Sequence, residues 1–175
     1  MKAKSNSSPA LDRRRSSRGA RSVIHARAEI IVGSSFRHWL AGYQTGDVRH
    51  WQRAFTFAVD MLGTERAQIV CTDFSRWVRL LGERSRRDLE VLAPNAPRYG
   101  RDECVAMALI ASYQHQACPA LQACAMTLLG CEPSAELVDR SSKVAERLTG
   151  FDEILPAHAL HEVVRQAEPS VHLLA

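Results

Sequence analysis

Residues 104–114, CVAMALIASYQ, are long enough for three turns of helix and apolar on almost every side. A helix without a polar face cannot lie on a surface; it belongs in the middle of a bundle, surrounded by other helices. The rest of the chain supplies them. Val32, Phe36, Trp39, Leu40 and Tyr43 recur at i, i+4, i+7, i+8 and i+11, one face of a helix that begins near Ala26. Gly42 and then Thr45-Gly46 end it, and Thr45 or Asp47 can cap the next. Trp51, Phe55, Ala58, Val59 and Leu62 form the expected buried stripe of a second helix, stopped at Gly63. A third, over 64–81, has Ala67, Val70, Cys71, Phe74, Trp77, Val78 and Leu81 on one side. Arg66, Asp73, Arg76, Arg79 and Glu83 lie off that stripe and are expected in solvent.

Residues 84–100 break the pattern. Arg84 to Arg87 is basic, Leu89 to Leu92 is a short apolar patch, and Pro94 and Pro97 cannot both lie inside a helix. This stretch is expected to be a loop dividing two helical halves. Asp102 then caps the apolar helix, Pro119 opens another that runs to Leu129 and stops at Gly130, and Leu137, Ser141, Val144, Ala145 and Leu148 mark one more before Gly150. A last helix, 156–167, would bury Leu160, Val163 and Val164. No segment alternates as a strand does. The expectation is all-α: a single compact bundle of six or seven helices over residues 23–175.

Charge sets the N-terminus apart. Residues 1–27 hold eight Lys or Arg against one acid, Asp12, so the +4 of the whole chain arises there and the remainder is net acidic. Residues 1–22 contain almost nothing to bury and are expected to form a disordered Arg/Ser-rich tail. Arg13, Arg14, Arg15, Arg18 and Arg21 are candidate contacts for nucleic-acid phosphates or for a protein partner, and phosphorylation of Ser16 or Ser17 would weaken them. The composition also suits an organellar transit peptide, though no apolar export segment follows the arginines. No run approaches the roughly 20 apolar residues of a membrane span.

Four of the five cysteines fall between Arg101 and Cys131. The odd count and the lack of Cys-x-x-Cys point to reduced thiols in a cytoplasmic compartment. Cys118 before Pro119 would sit at a helix N-cap, where the dipole favours a thiolate, and His115 is near enough in sequence to take its proton. Cys-Pro with a nearby His also resembles a short heme-regulatory motif. Cys104, His115, Cys118 and Cys124, with Cys131, are the candidate metal ligands, because Cys104 and His115 would share a helix face; only His115-x-x-Cys118 has the paired spacing of zinc sites. Glu103, beside Asp102, could complete a triad with His115 and Cys118. The simpler readings are a packed thiol, a polar helix end, and acids complementing a helix dipole.

A helix-turn-helix over 48–81, turning at Gly63 with Ile69 in its core, is a possible but unspecific fit. Arg-His-Trp occurs twice, at 37–39 and 49–51, with His38 and His50 expected at the surface and the tryptophans in the core. No phosphate loop, dinucleotide fingerprint, nucleophile elbow or His-Glu-x-x-His is present. The resulting expectation is a non-enzymatic, cytoplasmic regulatory or accessory protein that binds a protein partner or itself, with no cofactor and no membrane contact. Alternatives are a nucleic-acid-binding regulator, and a thiol, metal or heme sensor or enzyme centred on Cys118 and His115.

Overall fold

The computed structural model describes residues 10–157 and 160, with side chains from Arg27 onward. The side chains of the tail arginines and most of the expected helix at 156–167 lie outside what is so described. The fold is all-α, with six helices and no strand among the described residues. They are α1 (Ala10–Thr45), α2 (Val48–Leu62), α3 (Thr64–Arg84), α4 (Arg101–Gln114), α5 (Cys118–Leu129) and α6 (Ala135–Gly150).

Helix α3 is the hub, packing on α1, α2, α5 and α6. All seven residues of its apolar stripe are buried, and Leu80 with them. Phe74 stands edge-on to Trp77 with ring centroids 5.1 Å apart, and Phe36 of α1 lies 5.9 Å away on the other side. Burying each phenylalanine contributes about 1.5–3 kcal/mol. The Trp77 indole N–H is satisfied inside the core by Ser141 Oγ of α6 at 2.9 Å. That bond explains a serine in the buried stripe of α6, whose other members, Leu137, Val144, Ala145 and Leu148, are apolar.

Helix α4 occupies the interior position its composition requires, with every residue from Val105 to Ser112 buried. It packs on α1, α5 and α6, and α6 packs in turn on α3. The two halves of the chain therefore interleave, and the segment between α3 and α4 joins elements of one core. Two caps differ from expectation by a residue or two. Gly100, not Asp102, is the N-cap of α4, and Ala117 precedes α5 so that Cys118 is its first residue. Asp47 caps α2 as expected, accepting from Arg49 N at 2.9 Å, and Gly130 ends α5 at φ +68°.

The buried face of α2 is the largest departure. Ala54, Ala58 and Leu62 face inward, Trp51 is half-buried, and Phe55 and Val48 are exposed. Small residues let α2 lie close to α1, and the bulky residues flank the contact. Gly42 makes the closest approach possible: a Cβ there would meet Trp51 Nε1 at 2.2 Å. Gly82 in α3 has ordinary room, its nearest neighbour being Leu40 Cδ1 at 3.8 Å. The two glycines should respond to alanine with opposite signs. Gly82→Ala gains helix propensity and should stabilise by up to about 1 kcal/mol. Gly42→Ala must displace an indole and should destabilise by about 1–3 kcal/mol before the propensity gain is subtracted. Urea unfolding midpoints of both variants check this.

Candidate functional site

Asp102 and Glu103 open α4, and both carboxylates are buried. Glu103 Oε1 accepts from Arg37 Nε at 2.6 Å and from Leu92 N at 3.3 Å; Oε2 accepts from Gly100 N at 2.5 Å and Arg37 Nη2 at 3.0 Å. The Gly100 contact is the reciprocal half of a capping box, the only half a glycine N-cap permits. Arg37 spends its remaining donors on loop carbonyls: Arg98 O at 2.7 Å, Ala96 O at 3.1 Å and Pro94 O at 3.5 Å. Its guanidinium also lies 5.3 Å from the centroid of the Tyr99 ring, and that ring rests against Gly33, one turn earlier on α1. Asp102 accepts from both Arg87 Nη atoms at 2.6 and 2.7 Å and from Glu90 N at 2.8 Å. Burial pushes the Asp102 carboxyl up, but the Arg87 guanidinium and the Glu90 N–H outweigh it, and its pKa lies below the usual carboxylate value.

This geometry corrects the triad expectation for Glu103. Each of its oxygens already accepts two hydrogen bonds, so no lone pair is left to take a proton from His115 or Cys118. His115, at the C-terminal end of α4, has Nε2 2.7 Å from Leu155 O. A carbonyl can only accept, so Nε2 carries the proton. Beside it Gln114 donates to Glu153 O and accepts from Leu155 N, both at 2.9 Å. The pair ties the end of α4 to the segment after α6.

The candidate metal ligands do not gather. Cys104 and His115 share a helix face but are eleven residues apart, about 16 Å along the axis. Cys118 is exposed, whereas Cys124, six residues on, points about 120° away into the core, where burial pushes its thiol up to about 12. Cys131 is half-buried, and Cys71 of α3 is buried with its thiol raised to about 11. None of the five is in a disulfide. Among the described residues no three His, Cys, Asp or Glu side chains converge on a point that could hold a metal ion.

The groups left unspent lie elsewhere, in the two Arg-His-Trp triplets. Four buried side-chain nitrogens lack a hydrogen-bond partner among the described residues: His38 Nδ1, Trp39 Nε1, His50 Nδ1 and Trp51 Nε1. The α1–α2 turn brings the triplets together, with the imidazoles 6.0 Å apart and Tyr43 set between Trp39, at 6.2 Å, and Trp51, at 5.7 Å. Buried polar atoms without partners are rare in native proteins, and four on one hairpin mark it as unfinished. The repeated triplet was the sequence signal for this cluster, but nothing in its spacing showed that the copies meet. Both histidines are half-buried, as are Trp39 and Trp51, while Trp77 alone of the tryptophans is fully interior.

No family model, curated protein or solved structure matches this chain.

The helix-turn-helix register also fails here. Ile69 is exposed, not a core residue, and α3 is packed on by four other helices, which is not the free recognition helix the motif needs.

The clamp on α4 generates a quantitative expectation. Arg37→Leu strands a buried carboxylate and should cost about 3–5 kcal/mol. Arg79→Leu, which breaks only the exposed i,i+4 pair with Glu83, should cost less than about 1 kcal/mol. Because the Asp102 pKa is depressed on folding, its contribution is complete above the unfolded carboxylate value near about 4 and is lost as pH falls through the lower folded value. Unfolding midpoints measured from pH 7 down to pH 2 should therefore fall less steeply in Asp102→Asn than in the parent chain.

Proposed function

We propose that the chain is a non-enzymatic, cytoplasmic regulatory or accessory protein that works by binding another protein through the outer face of the α1–α2 hairpin. One observation carries the reading: an apolar stripe on α2 that the described residues leave uncovered. Val48 is 54 % exposed and Phe55 39 %. Seven residues apart, they lie within about 20° of each other on the helix. Trp51 sits between them in the chain, and its ring meets Tyr43, itself exposed. Contiguous apolar surface of this kind on a folded chain marks an interaction site, and aromatic side chains are the usual anchors of protein interfaces. The unpartnered indole N–H groups of Trp39 and Trp51 lie under the same face.

What favours binding over chemistry is how the reactive groups are used. Glu103, Asp102, His115 and Cys124 all serve packing or internal hydrogen bonding. Five thiols without a disulfide are consistent with a reducing compartment. No helix among the described residues is long and apolar enough to cross a membrane. A second reading, nucleic-acid contact, rests on the arginines at 13, 14, 15, 18 and 21.

Photo-crosslinking in cells tests the first reading. A photoreactive residue replacing Phe55 should give one dominant protein adduct, either a partner or a second copy of the chain. The same residue at Lys143, on the exposed side of α6, should not. Equal adduct patterns from the two positions, or no adduct from either, would contradict it, and an adduct with nucleic acid from position 55 would shift the reading to the second.

A further inference from the structure

A second surface lies on the opposite side of α2. Arg53 is about 160° around the helix from Phe55 and faces a groove of about 450 Å³ between α1, α2 and the loop. His38 of α1, Arg49, Gln52, Arg53, Thr56, Phe57 and Asp60 of α2, and Pro94 and Asn95 of the loop form its walls. We infer that this groove binds an oxyanion of the phosphate class, seated at the end where His38 and Arg53 meet.

Charge at the His38 end of the groove is only partly compensated. Arg49 and Arg53 are one turn apart on the same face of α2. Arg49 is held by Asp47 at 2.7 Å, whereas Arg53 has no carboxylate partner among the described residues. His38 and His50 stand 6.0 Å apart, and the buried Nδ1 of each lacks a hydrogen-bond partner among the described residues. The groups whose charge acts on His38 are His50 and Arg53 from α2 and Arg37 from its own helix; the loop contributes only Pro94 and the neutral amide of Asn95. Burial first, then the neighbouring His50, Arg53 and Arg37, hold the His38 pKa below the ordinary histidine value. The one acid in the groove, Asp60, is seven residues beyond Arg53, about 10 Å along the helix, and so sits at the other end.

A polar groove of this sort attracts an anion on two counts. Its His38 end carries the Arg53 charge with no acid in its lining, and it offers N–H donors: the Arg53 guanidinium, the His38 imidazole and the amides of Gln52 and Asn95. A cation would meet the opposite. The imidazoles could reach a metal ion, but no carboxylate or carbonyl orients either Nδ1 as metal-bound histidines require, and Arg53 would repel it. The clamp supports the same groove, since Arg37 Nη1 holds the Pro94 and Ala96 carbonyls and fixes the loop wall.

Histidine ring NMR of the full chain tests the inference, with inorganic phosphate titrated against sodium chloride of matched ionic strength. The expected result is saturable shifts of the His38 and His50 rings with phosphate and not with chloride. The His38 pKa should be higher in saturating phosphate than in chloride. Arg53→Gln, an exposed position that leaves the fold intact, should weaken phosphate binding at least tenfold, and His50→Gln should weaken it less. Identical titrations in the two salts, or unchanged phosphate affinity in Arg53→Gln, would overturn the inference. So would saturable zinc binding at the two rings with no response to phosphate. Phenyl phosphate distinguishes the source of the anion: tighter binding than inorganic phosphate means an organic monoester contacting Phe57, and equal binding means the free ion.

Discussion

Two adjacent carboxylates at the start of an otherwise apolar helix govern much of this structure. Buried acids are tolerated only when they are ionised and fully hydrogen-bonded, and leaving either one short would cost several kcal/mol. Asp102 and Glu103 therefore recruit two guanidiniums and three backbone amides from residues 37 to 100. A loop that would otherwise be free to move is thereby fastened along its length. Arg37 is the far end of the fastening. It belongs to α1, reaches across to α4, and holds three loop carbonyls on the way. Since His38 and Trp39 follow it directly, the same ion pair sets where the aromatic hairpin and the basic groove stand.

The sulfur-rich stretch belongs to the same picture. Cys124 fills core space with no measurable exposure, while Cys104 and Cys118 point outward from different helices. The imidazole of His115 holds the chain after α6. Polar and sulfur-bearing residues in this region are used to join helices, and the surfaces with unspent groups lie on the other side of the molecule, on α2 and its neighbours.

The sequence was most legible where one helix buries one face against several others. The stripes of α3 and α6 and the all-apolar α4 were read residue by residue, and the loop after Arg84 was located within a residue of its observed limits. Helix α2 was misread because periodicity follows large side chains. Ala54 and Ala58 make the contact with α1 through their smallness, and Trp51 is admitted by Gly42 on the other helix, a match no local pattern shows. The acids of α4 were seen, but as complements of a helix dipole. Their true partners include Arg37, 66 residues earlier than Glu103, and an ion pair of that separation has no periodic signature. Cys104 and His115 share an angular position on the helix, but their axial separation keeps them from a common metal ion. His38 and His50 were noticed as a repeat, yet only the turn at Gly46 makes them neighbours.

The central claim is that buried carboxylates, and not local turn structure, hold the segment between α3 and α4. Amide hydrogen exchange of the native chain addresses it most directly. The amides of Glu90, Leu92 and Gly100 donate to those carboxylates from a segment with no helix or strand of its own. They should exchange as slowly as the interior amides of α4 and open together with them. Exchange of these three at the rate of an unstructured loop, while α4 remains protected, would contradict the account.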